Sequence, residues 1–195
     1  GLTGIHAGQP MLRSTARPGD QVAVTGYLGG SGGGLRLMLG AGHDSNLSDQ
    51  VSEEAAEYLR VCHRRPQPAV AEGRILSASG VVTAMDVSDG LADDLSKLCR
   101  SSGLSARIHA GQVPVHPLLK QAYPDDYLDL ALGGGEDYLL LFTAPAQVMA
   151  LVMPQLSQGA AVVGELMAGE PGRVSVLDVD GSERPASGAG WDHFR

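Results

Sequence analysis

One junction constrains the fold of this 195-residue chain more than any other: Met85-Asp86-Val87-Ser88-Asp89-Gly90-Leu91. The apolar run over 80–84 reads as a buried strand. Gly90 permits a tight turn, and Leu91, Leu95 and Leu98 then recur at helical spacing. A strand therefore hands over to a helix within a few residues, and Asp86 and Asp89 straddle Ser88 at that handover. Such a junction sets hard oxygen ligands beside free backbone N–H groups, which suits a magnesium-bound phosphate. A second reading is local, with Ser88 or Asp89 capping the following helix. Taken alone, the junction leaves both open.

Around it, the pattern predicts helices and strands mixed throughout. Strands are expected at 21–28, 104–109, 137–143, 161–166 and 173–179, and helices at 49–63, 69–77, 90–101, 117–131 and 145–156. Residues 29–34 read as a glycine-rich turn running into a helix over 35–39, and Ser48 or Asp49 as the cap of the helix at 49–63. Arg64-Arg65-Pro66-Gln67-Pro68 must break a helix, since proline removes a donor and restricts its predecessor. Asp180-Gly181 marks a turn. The expected architecture is α+β, a mixed β-sheet packed with helices, with residues 1–20 as a lead-in and 21–195 as one domain.

A net charge of −8 and only 4% aromatic residues argue against nucleic-acid binding. No run approaches a membrane span, and no signal peptide is evident. Cys62 and Cys99 lack CxxC spacing and suit a reducing compartment, so the cytoplasm is the expected location.

Gly133-Gly134-Gly135-Glu136-Asp137-Tyr138 is the second notable string, read either as a ligand loop or as a glycine-rich connection with solvated acids. Tyr27 to Gly34 could cradle phosphate, yet it lacks a Walker lysine and reads better as a strand-to-helix crossover. Arg13, Arg17, Arg64 and Arg65 are candidate phosphate clamps. His193 is a lone candidate base, and no pattern of a covalent nucleophile is present, so no catalytic side chain is assigned.

Taken in order, several strings resemble the thiamine-monophosphate kinase family. They are Leu12 to Asp20, Val24-Thr25-Gly26, Arg65 to Pro68, Met85 to Leu91, Gly134 to Tyr138 with Phe142, and Gly190-Trp191-Asp192-His193-Phe194. Aminoimidazole ribonucleotide synthetase, selenophosphate synthetase and a hydrogenase maturation protein belong to the same wider superfamily. The resemblance implies the superfamily's C-terminal α+β fold and ATP-dependent phosphorylation of thiamine monophosphate to thiamine diphosphate, by direct transfer. It implies Asp86 and Asp89 as Mg²⁺ ligands, Arg13 and Ser88 as ATP contacts, and Glu136 and Trp191 as substrate contacts. It also implies a further N-terminal domain that carries more metal-binding acids, much of the ATP site and the dimer interface. This chain is then expected to be the C-terminal domain alone, monomeric and inactive by itself. Another ATP-using synthetase of the superfamily, or a non-catalytic binding domain of this fold, are the alternatives.

Overall fold

The structure is a computed structural model that describes residues 9–40 and 51–186. Its strands are β1 (Gln21–Val24), β2 (Thr83–Asp86), β3 (Ser105–His109), β4 (Leu140–Ala144), β5 (Ala161–Met167), β6 (Val174–Leu177) and β7 (Glu183–Pro185). The α-helices are α1 (Gly30–Gly40), α2 (Glu53–Arg64), α3 (Val70–Ala78), α4 (Leu91–Ser102), α5 (Pro117–Ala122), α6 (Tyr127–Gly133) and α7 (Ala146–Val152). The strands form one sheet in the order β2-β4-β1-β5-β3-β6-β7. Every pairing is antiparallel except β3 with β6, which is parallel. The expected α+β class and mixed sheet are what the chain adopts.

Strand alternation divides the core between the two sheet faces. Val22 and Val24 join the larger cluster with Leu91, Leu95 and Leu98 of α4, whereas Ala23 joins Phe142, Leu76 of α3 and Met149 of α7. Helices thus cover both faces. The edge strand β2 is flanked by the lead-in, where Leu12 N–H donates to Val82 O at 2.9 Å and the Thr15 and Thr83 hydroxyls bond at 2.7 Å.

Several boundaries differ from the sequence pattern, each for a tertiary reason. β2 ends on Asp86 rather than at residue 84, because Asp86 pairs with Leu140 and the ladder continues through Val87 N–H to Leu139 O at 2.9 Å. The helical stretch expected over 117–131 is two short helices, α5 and α6. Strand β7 follows the turn at Gly181, whose N–H donates to Asp178 O at 3.0 Å. Of the α2 cap candidates, Ser48 and Asp49 lie outside the described residues; Ser52 Oγ accepts the Ala55 N–H at 3.3 Å and is the cap.

The largest difference is the glycine-rich segment. It is not a turn: α1 begins at Gly30 and runs through Gly32, Gly33 and Gly34. Glycine costs about 1 kcal/mol per helical position, so close packing against α2 has to compensate. A Cβ at Gly34 would stand 2.2 Å from the Leu59 carbonyl oxygen. Gly34→Ala is therefore expected to destabilise the fold by at least about 1–3 kcal/mol through overpacking. Gly73→Ala, whose nearest neighbour is Leu140 Cδ1 at 3.4 Å, is expected to stabilise α3 by about 0.5–1 kcal/mol. Urea unfolding of both variants checks the opposite signs.

Candidate functional site

The junction after β2 is built by a carboxylate that the sequence pattern did not single out. Asp94, in the first turn of α4, is fully buried, and its Oδ2 accepts the Ser88 N–H at 2.8 Å and the Asp89 N–H at 2.9 Å. Neither Ser88 nor Asp89 caps α4; the cap residue is Gly90, at φ 108°, with no side-chain bond. The amides expected to lie free for a phosphate at Ser88 and Asp89 are therefore already occupied.

Asp94 Oδ1 accepts from Lys97 Nζ at 2.8 Å, and the same ammonium bonds Asp93 at 2.8 Å and makes a very short contact with Asp89 Oδ2. Burial works to lower the Lys97 pKa, but its hydrogen bonds to Asp89, Asp93 and Asp94 outweigh it and raise the pKa well above the usual lysine range. Carboxylate oxygens of these three acids lie within 4.8 Å of one another.

The second loop is laced to the first. Tyr138 N–H donates to Val87 O at 3.0 Å and Glu136 N–H to Ser88 O at 2.8 Å. A Cβ at Gly135 would stand 2.6 Å from Ser88 O, so only glycine lets the loops approach this closely. Glu136 (φ 68°) and Tyr138 (φ 51°) hold left-handed backbone, a strain that non-glycine residues carry mostly where function demands it.

Their side chains are exposed, while Asp137 between them turns inward. Its carboxylate accepts the Gly29 N–H at 2.7 Å and the Ser31 N–H at 3.1 Å, closing the start of α1. Burial pushes Asp137 from an ordinary value of 3.8 up to about 6, against the lowering effect of those two bonds. The glycine-rich start of α1 is thus filled by a protein carboxylate rather than open to phosphate.

The exposed Tyr138 phenol reports where the other acids stand. Its pKa is raised first by the charge of Glu136, then by slight desolvation and a hydrogen bond to Glu136, and the charges of Asp86 and Asp89 push it more weakly in the same direction. Asp86, Asp89 and Glu136 therefore share one electrostatic neighbourhood. Beside it opens a cleft of about 960 Å³, lined by Ser88, Asp89 and Glu136 together with apolar Leu35, Leu39 and Leu130.

Of the six residues implied by the resemblance, Ser88, Asp89 and Glu136 line the cleft, and Asp86 stands exposed at the end of β2 beside it. Arg13 does not line it; the Arg13 carbonyl accepts from Ser102 at the far end of α4, about 16 Å of helix from the junction. Trp191 lies outside the described residues, and Ala186, the last of them, lines the cleft. The cleft's arginines are Arg36, paired with Asp126 at 2.7 Å, and Arg184, paired with Asp178 at 2.8 Å. No motif marked either one, nor Asp94, Lys97 or the inward turn of Asp137.

A divalent cation fits the donor set. The Asp86 side chain is exposed with no hydrogen bond or ion pair among the described residues, and Asp89 keeps one oxygen clear of Lys97. Two carboxylates are the usual protein share of a Mg²⁺ shell completed by water and phosphate.

Residues 17–177 match the family described as AIR synthase related protein, C-terminal domain. The chain belongs to that family. The thiamine-monophosphate kinase of Bacillus subtilis (strain 168) is 38% identical over 139 residues, 71% of this chain and 41% of that protein. The thiamine-monophosphate kinase of Salmonella typhimurium (strain LT2) is 36% identical over 200 residues, 98% of this chain and 58% of that protein. The structure of AaThiL complexed with AMPPCP and TMP superimposes with a TM-score of 0.76 at 32% identity, over 94% of this chain and 54% of that one. These relatives bear out the resemblance read from the ordered strings. This chain spans about half the length of the proteins it matches.

Asp137 carries a pH dependence whose sign follows from its raised value. The folded chain holds the proton to about pH 6, whereas an unfolded one releases it near 3.8. Unfolding then releases a proton between these values, so stability is expected to fall as pH rises from about 4 to about 6. Asp137→Asn removes this component. Thermal melts of both proteins across that range check it, by a difference curve that flattens above about pH 6.

Proposed function

We propose that this chain is the C-terminal half of an enzyme that moves the γ-phosphoryl group of ATP onto thiamine monophosphate, yielding thiamine diphosphate. The observation that carries the proposal is the convergence of Ser88, Asp89 and Glu136 on one cleft, with Asp86 at its edge, in a chain whose relatives are thiamine-monophosphate kinases. The ATP-analogue and TMP complex of AaThiL supports the same substrate pair, with TMP taken as thiamine monophosphate.

Phosphoryl transfer asks a protein for positioning and charge neutralisation more than for covalent chemistry. Asp86 and Asp89 would hold Mg²⁺. When bound, the ion neutralises the phosphate charge that two bare carboxylates would repel. Ser88, between them in sequence, would orient a nucleotide oxygen.

Glu136, held rigidly by its bond to Ser88 O, contacts the substrate, and its charge complements the cationic thiazolium. The apolar wall of Leu35, Leu39 and Leu130 shelters the rest of the ring system and excludes water. Trp191 follows Ala186 by five residues, a length of chain that spans at most about 17 Å. It is assigned to pack on the cation. Arg13, at the other end of α4, meets the ATP phosphates only if the nucleotide extends along the β2 edge. The whole enzyme is proposed to work in the cytoplasm as a dimer, joined through its N-terminal half.

Two measurements test this on the enzyme that contains both halves and on the chain alone. Asp86→Asn with Asp89→Asn is expected to lower thiamine monophosphate phosphorylation by about 100-fold or more, the scale on which transition-state charge stabilisation acts. Phosphorylation at the unmodified rate would make the two acids structural and end the proposal. In a coupled ADP-release assay the chain alone is expected to show no turnover. A rate near the kinase norm of about 1 s⁻¹ would show that it is self-sufficient.

A further inference from the structure

We infer that Lys97 is a positioning residue: its ammonium is the resident cation of the Asp89–Asp93–Asp94 cluster, holding Asp89 so that a single carboxylate oxygen faces the cleft. The inference rests on the reading of Asp89 as a metal ligand, and it assigns a role to a residue outside any motif.

The geometry is a filled tripod. An ammonium has three N–H donors and no acceptor. Lys97 Nζ has three carboxylate partners, Asp93 and Asp94 at 2.8 Å each and Asp89 closer still. The helix supplies two of them, since Asp93 and Asp94 lie one turn before Lys97. Only Asp89 comes from outside α4, so the third bond ties the junction to the helix. With its donors used up, Lys97 has none to offer a phosphate.

Two consequences follow for the site. Asp89 Oδ2 is committed, which leaves Oδ1 for the cleft and excludes bidentate chelation by Asp89. Three carboxylates with oxygens within 4.8 Å would otherwise form a trap for a divalent ion. A lysine charge in that place keeps metal out of the cluster and leaves it to the Asp86–Asp89 side. Because Asp94 also holds the Ser88 and Asp89 amides, the backbone and the side chain of the junction are anchored to the same group.

The chain itself supports a clean test, because Lys97 and the exposed Lys120 are its only two lysines. Limited acetylation with acetic anhydride, read by mass spectrometry, is expected to modify Lys97 roughly tenfold or more slowly than Lys120, as the loss of charge-assisted hydrogen bonds would require. The ratio is expected to stay the same in excess Mg²⁺. Equal rates, or a rise in Lys97 labelling when Mg²⁺ is added, would overturn the inference, since an incoming ion would then be displacing the lysine.

Mn²⁺ binding, followed by the electron paramagnetic resonance of the free ion, gives the second readout. Lys97→Met is expected to bind Mn²⁺ at least about tenfold more tightly than the unmodified chain, as three uncompensated carboxylates should. Lys97→Arg keeps a cation in place and is expected to show no gain, and Asp93→Asn added to Lys97→Met is expected to abolish it. No gain in a folded Lys97→Met chain would overturn the inference; if that variant does not fold, the acetylation result on the unmodified chain decides. If Asp86 and Asp89 bind no metal yet Lys97 stays protected and Lys97→Met gains Mn²⁺, the reading of Asp89 as a metal ligand fails while Lys97 as the resident cation of the cluster stands.

Discussion

The buried carboxylate of Asp94 is the interaction on which the rest of the site depends. A charge taken fully out of water is costly unless hydrogen bonds and a counter-charge surround it. Here two loop amides and one ammonium do so, and all three belong to the junction or to the helix that follows it. That closure turns β2 into α4 over four residues, places Ser88 at the cleft, and leaves Asp86 on the last rung of the ladder. The second loop can lie against the first only because Gly135 presents no Cβ to Ser88 O.

A second carboxylate does related work a few residues beyond the other loop. Asp137 takes the amides at the start of α1 as Asp94 takes those before α4. Their electrostatics differ. Asp94 meets a lysine, whereas Asp137 meets only backbone dipoles, and burial lifts its pKa to about 6. Both occupy backbone groups that a sequence reading reserves for phosphate. Any attraction of this surface for a polyanion therefore cannot come from the Ser88, Asp89, Gly29 or Ser31 amides.

How much was legible in the sequence follows the range of the forces involved. Local periodicity placed α3, α4 and β3 to within about two residues, the usual scatter of element boundaries. The acids of the two loops were visible because they stand in short strings. The start of α1 was not, because four glycines argue against a helix locally and only tertiary neighbours make them necessary: Cys62 and Leu59 of α2, Leu119 of α5 and Gly134. Asp94 and Lys97 read as the polar face of an amphipathic helix. Their roles exist only once α4 is folded back beneath the junction, and i to i+3 spacing alone does not reveal a partner eight residues upstream such as Asp89. Strand β7 is three residues long and ends in proline, so no alternation could announce it.

Charge limits what such a cleft can hold by itself. Its carboxylates at Asp89, Asp126, Asp129 and Glu136 outnumber its two arginines, and both arginines are already paired. An ATP triphosphate brought to this surface alone meets net repulsion, in a chain that carries −8 overall. A substrate with a cationic ring meets the opposite. The described surface therefore favours a cationic group or a divalent ion over a bare polyanion, and the charge of a triphosphate has to be balanced by cations brought in with it or by groups beyond this cleft. The relatives it matches are about twice as long as this chain, so they carry further groups that this surface does not.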